Sequence, residues 1–297
     1  MTKIVVTGAT GGLGSEVLRQ LHCLAPDRLL AGSVSQPVVA PWFAELGVEV
    51  RHGDFNSPET LERAFAGADR VFLVSTRDSN EVRIRQQRNA IEAARNAGVR
   101  HVYYTSIVQR EGSTFEPTAG HLQTEADLAQ SGLDFTIFRN GQYMENLPMF
   151  LGRSLETGVL ALPPDGPVAW VARADLAEGI AQVILSGEHA GETLLLTGPR
   201  ALNFSEIAAI AEEITGVPIH RWVIDAREYE KALIGSGVNV RLAKVLASGF
   251  ASRASGELAA VDPTLGELLG RPRYTVAEVL PVLLNLSATN MAAAVGG

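Results

Sequence analysis

The chain has 297 residues, 46% of them hydrophobic, and a formal net charge of −8 at pH 7. That is enough apolar content to bury a sizeable core, and the wrong charge for a phosphate-backbone partner, which needs clustered Lys and Arg. No signal peptide and no apolar run of about 18 residues appears, so the chain reads as cytoplasmic, with no membrane or nucleic-acid partner.

Lys3–Val6 is a short apolar, β-branched run that leads into Thr7-Gly8-Ala9-Thr10-Gly11-Gly12-Leu13-Gly14, and a helical pattern follows over Leu13–Leu24. The glycines are spaced Gly8-x-x-Gly11-x-x-Gly14. One glycine makes the tight turn off the strand, a second admits a pyrophosphate close to the backbone, and a third lets helix pack on strand. The helix N-terminus then offers free N–H groups and partial positive charge. Gly8, Thr10, Gly11, Gly12, Leu13 and Gly14 are therefore candidate dinucleotide contacts, against the alternative of a plain βα turn. Cys23, the single cysteine, excludes an internal disulfide and reads as a core thiol beside Leu18, Leu21 and Leu24.

Further strand-like runs follow at Arg28–Ser33, Glu49–His52, Val71–Val74, His101–Thr105 and Phe135–Phe138. Helical patterns lie between them at Pro41–Leu46, Pro58–Phe65, Glu81–Ala97 and Thr124–Gln130. Gly47, Gly67, Gly98 and Gly132 stand where helix C-caps belong, and Ser57-Pro58-Glu59 starts a helix well. This alternation predicts an α/β fold: a Rossmann-type doubly wound parallel sheet, with a smaller mixed, mostly helical C-terminal lobe. Residues 1–150 form the dinucleotide-binding domain, to which 168–200 return. The smaller, interleaved substrate-side lobe takes 151–289, and 290–297 form a flexible tail. Within the lobe, Gly158–Leu162 and Val168–Val171 flank Pro163-Pro164-Asp165-Gly166-Pro167 and read as a turn-linked strand pair. Ala174–Leu185 and Phe204–Ile214 read as helices, the latter capped by Asn203 or Ser205; Glu192–Thr197 and His220–Ile224 read as strands.

Positions just past the strand ends should meet the cofactor. After the second strand, Ser33, Val34, Ser35 and Gln36 include no acid for a ribose 2′-hydroxyl and no arginine for a 2′-phosphate. Ser33 and Ser35 can still donate hydrogen bonds, so NADP(H) is favoured over NAD(H), with dual use open. Asp54 is an adenine-side contact or a turn capping the next helix. Ser75, Thr76 and Arg77 fall beside the pyrophosphate or its ribose, unless Arg77 is a surface charge. Thr105 ends the fifth of these strands. His121 and Glu125 are an i,i+4 pair: either a proton donor oriented by Glu125, or a surface ion pair. Asn140, Tyr143 and Asn146 follow the sixth strand and can meet the nicotinamide ribose or line the substrate pocket, so His121 and Tyr143 are the catalytic candidates. Met144, Met149 and Phe150 can form an apolar wall, with core packing the preferred reading for Met149 and Phe150. No metal site is expected.

Tyr-x-x-x-Lys, the proton relay of ordinary short-chain dehydrogenases, is absent. Four residues past Tyr103, Tyr104, Tyr143, Tyr229 and Tyr274 stand Ile107, Val108, Leu147, Leu233 and Glu278, and lysine occurs only at 3, 231 and 244.

Taken together, Val6–Gly11, Val50–Asp54, Ala97–Arg100, Tyr104–Ser106, His121–Glu125 and Arg139–Gly141 resemble the NmrA-like, atypical short-chain dehydrogenase family. Thr124-Glu125, Arg139–Asn146, Arg173–Asp175 and Leu269–Pro272 make the chain most similar to its type-2 NAD(P)H:quinone oxidoreductases. The resemblance implies a quinone or similar conjugated acceptor in a cleft between domain and lobe, reduced by direct hydride transfer without a Tyr–Lys pair. That group tends to carry an arginine where this chain has Ser35. A non-catalytic, NAD(P)-binding redox sensor is the alternative, and a homodimer is left open.

Overall fold

The computed structural model describes residues 2–36 and 41–284; the tail expected at 290–297 lies outside them. Strand and helix alternate from the start: β1 (Lys3–Thr7), α1 (Gly12–Leu24), β2 (Leu29–Val34), α2 (Pro41–Glu45), β3 (Glu49–His52), α3 (Pro58–Phe65), β4 (Arg70–Leu73), α4 (Asn80–Asn96), β5 (His101–Ile107), α5 (Thr118–Ala129) and β6 (Asp134–Asn140). Then come a 3-10 turn at Met144–Asn146, α6 (Leu147–Leu151), α7 (Ser154–Thr157), β7 (Val159–Leu162), α8 (Arg173–Ser186), β8 (Glu192–Leu196), α9 (Phe204–Thr215) and β9 (His220–Val223). The helices α10 (Ala226–Gly235), α11 (Val240–Ala254), α12 (Thr264–Leu269) and α13 (Val276–Leu283) complete the described chain.

Seven strands form one parallel sheet in the order β3-β2-β1-β4-β5-β6-β8. A sheet of βα units must bury both faces, and the runs of consecutive apolar residues meet that demand. Ile4 and Val6 of β1 join Leu18 and Leu21 of α1 and Ile180 of α8 on one side. Val5, one residue out of phase, joins Leu61 of α3, Ile91 of α4 and Leu128 of α5 on the other. The strand order reverses between β1 and β4, so a crevice opens outside their carboxyl ends. Gly47, Gly67, Gly98 and Gly132 close helical segments with φ between +62° and +79°, the left-handed C-cap conformation.

A second core lies beyond that crevice. Phe150, Trp170, Phe204 and Phe250 pack ring on ring there, and β7 pairs with β9 in parallel. The strand pair expected from 158–171 is therefore corrected. The three prolines between the two runs cannot donate to a ladder. Gly166 runs so close to the Arg253 carbonyl that a Cβ there would collide with it. Val168–Val171 goes instead into the lobe core, bridging Leu202 and Tyr143 singly. Asn203, not Ser205, caps α9, in a reciprocal pair with Glu206. The helix expected at Thr124 begins six residues earlier, at Thr118. Cys23 is exposed, not a core thiol. It stands two residues past buried Leu21, about 200° further round the helix, on the outer face.

Candidate active site

Gly8 leaves β1 with φ +58°, and its carbonyl accepts the Gly11 N–H at 2.8 Å. A Cβ on Gly14 would run into the Gly8 carbonyl and stand 3.0 Å from Thr7 O; one on Gly11 would stand 3.1 Å from Gly8 O. A side chain would thus clash at Gly14, strain the backbone at Gly8 and crowd the turn at Gly11. The loop past β4 is tied down beside it. Thr7 Oγ1 accepts the Val74 N–H at 2.9 Å, and Thr105 Oγ1 accepts the Ser75 N–H at 2.8 Å.

A cleft of about 800 Å³ runs from this turn along the carboxyl ends of β1, β4, β5 and β6. Of the sequence candidates, Gly8, Gly11, Gly12, Leu13, Gly14, Ser75, Thr76, Arg77, Thr105, His121, Tyr143 and Asn146 line it. Thr10, Ser33, Ser35, Asp54 and Asn140 do not. Thr10 is exposed on the turn. Ser33 is buried beneath Gly53. Ser35 is exposed at the end of β2, where its carbonyl accepts from His52 Nε2 at 3.2 Å. The Asp54 carboxylate accepts from Asn56 N at 2.8 Å and does not cap α3. Buried Asn140 donates to the Tyr143 hydroxyl at 3.4 Å. Phe150 packs in the lobe core as expected, whereas Met149 is exposed.

His121 and Glu125 are neither a surface pair nor partners, because their face of α5 packs against the sheet. Glu125 accepts from Ser106 Oγ at 2.6 Å, Gln109 Nε2 at 3.0 Å, Arg139 Nε at 3.1 Å and Arg139 Nη2 at 2.5 Å. His121, 3% exposed, has its Nδ1 2.9 Å from the Tyr104 hydroxyl. Burial, helped by the Arg83 charge, pushes its pKa down to about 3, so the ring is neutral at pH 7. Burial also raises the Tyr104 and Tyr143 hydroxyls, which keep their protons.

Sequence reasoning missed Arg83 and Phe115 and cited Arg173 only as part of a resemblance. Arg83, one turn into α4, is 4% exposed and donates to Thr76 O at 2.9 Å and Pro117 O at 3.3 Å. No carboxylate pairs with it among the described residues. Arg173 opens α8, with its backbone N–H on Glu145 Oε1 at 2.9 Å and its guanidinium against Gly12. Both arginines line the cleft, and their signal was only a charge near a helix start.

The glycine turn, the α1 N-terminus, Arg77 and Arg173 and the unpartnered Thr76 hydroxyl together fit a dinucleotide diphosphate. Fold and site thus define a Rossmann-type dinucleotide-binding protein without the Tyr–Lys relay. The NmrA-like family profile matches residues 1–266, and the chain belongs to that family. It is 33% identical to quinone oxidoreductase 2 of Escherichia coli over 285 residues, covering 96% of this chain and 99% of that protein. It is 31% identical over 278 residues to an NAD(P)H azoreductase of Xenophilus azovorans, covering 93% and 96% of the two chains. The crystal structure of the E. coli enzyme with NADPH matches with a TM-score of 0.90, covering 95% of this chain and 100% of that one. The Citrobacter triphenylmethane reductase with NADP(H) matches at 31% identity and a TM-score of 0.87, covering 95% and 99%.

Proposed function

We propose that this chain is a cytoplasmic NAD(P)H-dependent reductase that delivers hydride to a quinone or similar conjugated small-molecule acceptor. NADP(H) is the favoured cofactor and NAD(H) remains usable. The observation that carries the reading is one continuous cleft running from the glycine turn to His121, Tyr143 and Phe115, with no Tyr–Lys relay in it.

Gly8, Gly11 and Gly14 bring the backbone to the diphosphate, and Thr76, Arg77 and Arg173 add hydrogen bonds and positive charge. The dinucleotide, when bound, supplies the hydride. Thr105, Tyr143 and Asn146 line the stretch of cleft beyond the turn, where they orient the nicotinamide end. His121 and Phe115 bound the acceptor side, and Phe115 and Pro117 shield it from water. A conjugated acceptor needs no protein acid of the alcohol–ketone kind, because its reduced oxygens take protons from water. NAD(P)H azoreductase and quinone oxidoreductase relatives support this acceptor class.

Loss of absorbance at the reduced-nicotinamide band, with NADPH and NADH in parallel against a quinone panel, tests the reading. Acceptor-dependent loss upholds it. Tight cofactor binding with no turnover across quinones and azo compounds replaces it with the redox-sensor reading.

A further inference from the structure

One polar pair reaches the cleft only through its histidine. Tyr104 on β5 is fully buried, and its hydroxyl lies 2.9 Å from Nδ1 of His121 on α5. The neighbouring Thr124 hydroxyl is turned to the Gly120 carbonyl, at 2.9 Å. His121 lines the cleft, and among the described residues nothing bonds its Nε2. Glu125, the carboxylate that the i,i+4 spacing offers, is fully engaged elsewhere.

We propose that Tyr104 is a positioning residue: its hydroxyl donates to His121 Nδ1, so the neutral imidazole carries its one hydrogen on Nε2 and aims it into the cleft at the acceptor's oxygen. This rests on the reductase reading for the acceptor, but not for the tautomer. One physical argument favours this direction of the bond. Arg83 acts on Tyr104 and His121 as a nearby positive charge. A cation beside a phenol draws the oxygen's lone pairs toward itself and turns the hydrogen away, and the imidazole Nδ1 is a partner within reach, at 2.9 Å. In the reverse arrangement the Tyr104 hydrogen would turn to the neighbouring Thr124 hydroxyl, whose own hydrogen goes to Gly120 O at 2.9 Å, and Nε2 would face the cleft as a bare acceptor; the two arrangements differ in the tautomer of His121.

The chemistry that follows balances simply. One hydride, carrying both electrons, enters the acceptor from the reduced dinucleotide, and negative charge collects on the acceptor oxygen. The His121 Nε2–H stabilises that charge by a hydrogen bond and keeps its own proton. One proton from water completes the reduced acceptor, and the oxidised dinucleotide leaves. His121 is in this account an electrophilic donor and not a general acid.

Long-range 1H–15N correlation spectra of protein labelled at histidine read the tautomer directly. The wild-type His121 signal should be that of a neutral Nε2–H ring, and Tyr104→Phe should lose this single tautomer. With a benzoquinone as acceptor, Tyr104→Phe should lower kcat/KM for the quinone about tenfold while the KM for NADPH stays within twofold. His121→Gln keeps an N–H close to the position of Nε2 and should retain far more quinone activity than His121→Leu. An Nδ1–H ring in the wild type overturns the proposal, as does a Tyr104→Phe enzyme with unchanged tautomer and unchanged quinone kcat/KM. Equal activity of the Gln and Leu variants also counts against it. An Nε2–H tautomer that depends on Tyr104, with no turnover of any acceptor, would remove the reductase reading and leave the Tyr104–His121 relationship standing.

Discussion

The Arg173 guanidinium lies against Gly12, in the space where a Cβ on that residue would sit. The first residue of α8 therefore reaches the first residue of α1, and a backbone without a side chain leaves the cation room at the mouth of the glycine turn. Gly12→Ala should push Arg173 aside, because the far end of a long side chain moves at little cost. We expect NADPH binding weakened about tenfold, or ~1.4 kcal/mol, with Tm nearly unchanged. Gly14→Ala meets the Gly8 carbonyl and Thr7 O instead, which are backbone and cannot step away. That variant should lose binding and about 5 °C or more of Tm. Fluorescence titration and thermal melts of both variants check the contrast; equal melting temperatures would show that the two glycines do the same job.

We expect cofactor preference to rest on Ser35 rather than on Ser33. Both follow from the same stretch of sequence, but Ser33 lies within β2, paired between Thr7 and Arg51, whereas Ser35 lies just past the strand's last residue, Val34. Ser33 is 1% exposed, beneath Gly53, and reaches no ligand. Ser35 is exposed at the end of β2, next to His52. Ser35→Arg should raise the ratio of kcat/KM for NADPH over NADH about tenfold, since an arginine fork is the stronger phosphate ligand. Ser33→Ala should move that ratio less than twofold. Parallel steady-state assays decide it, and an unaltered ratio in Ser35→Arg would place the 2′ position elsewhere.

Local signals were the legible ones. A β-branched run ending in spaced glycines declares strand, turn and helix within one window, and Gly8, Gly11 and Gly14 line the cleft. Pairings between distant elements were not legible. His121 finds Tyr104, 17 residues earlier on a strand, while the i,i+4 rule offered Glu125. Glu125 is claimed by Arg139 because α5 lies flat on the sheet, and no helical periodicity reports which face that will be. Arg83 and Phe115 enter the cleft only through the packing of α4 on α5 and of the loop before α5. The chain from 158 to 171 misled for a similar reason. An apolar strand reads alike whether it pairs with its neighbour or with β9, some 60 residues on.

The Arg139–Glu125 pair is structural, which gives it a separate test. Glu125→Gln leaves Arg139 beside an uncharged amide and weakens the bonds from Ser106 and Gln109. Arg139 is 31% exposed, so solvent offsets part of the loss. The expected cost is about 2 kcal/mol, below the ~3–5 kcal/mol of a fully buried pair. Chemical denaturation should show that loss while quinone kcat/KM stays within twofold. A large fall in activity with stability intact would instead tie Glu125 to His121.

Two buried histidines predict how stability depends on pH. Burial pulls His101 down to about 4 and His121 to about 3, from 6.5. The unfolded chain therefore binds more protons than the folded one below about pH 6.5, and stability must fall as pH falls through that window. Each group contributes at most about 1.4 kcal/mol per pH unit, until the folded ring itself titrates. Glu16 and Asp175, held up by burial, work the opposite way, but closer to the ordinary carboxylate range. Between pH 7 and 5.5 the histidines should dominate, so the unfolding free energy declines steadily on acidification. His101 Nε2 meets Thr136 Oγ1 at 2.9 Å and its ring stacks on Tyr103 at 4.1 Å. His101→Gln removes one titrating group, and the slope of unfolding free energy against pH should fall to about half. Urea melts at half-unit steps measure that slope, and a wild-type curve flat from pH 7 to 5.5 would mean that neither ring is held neutral.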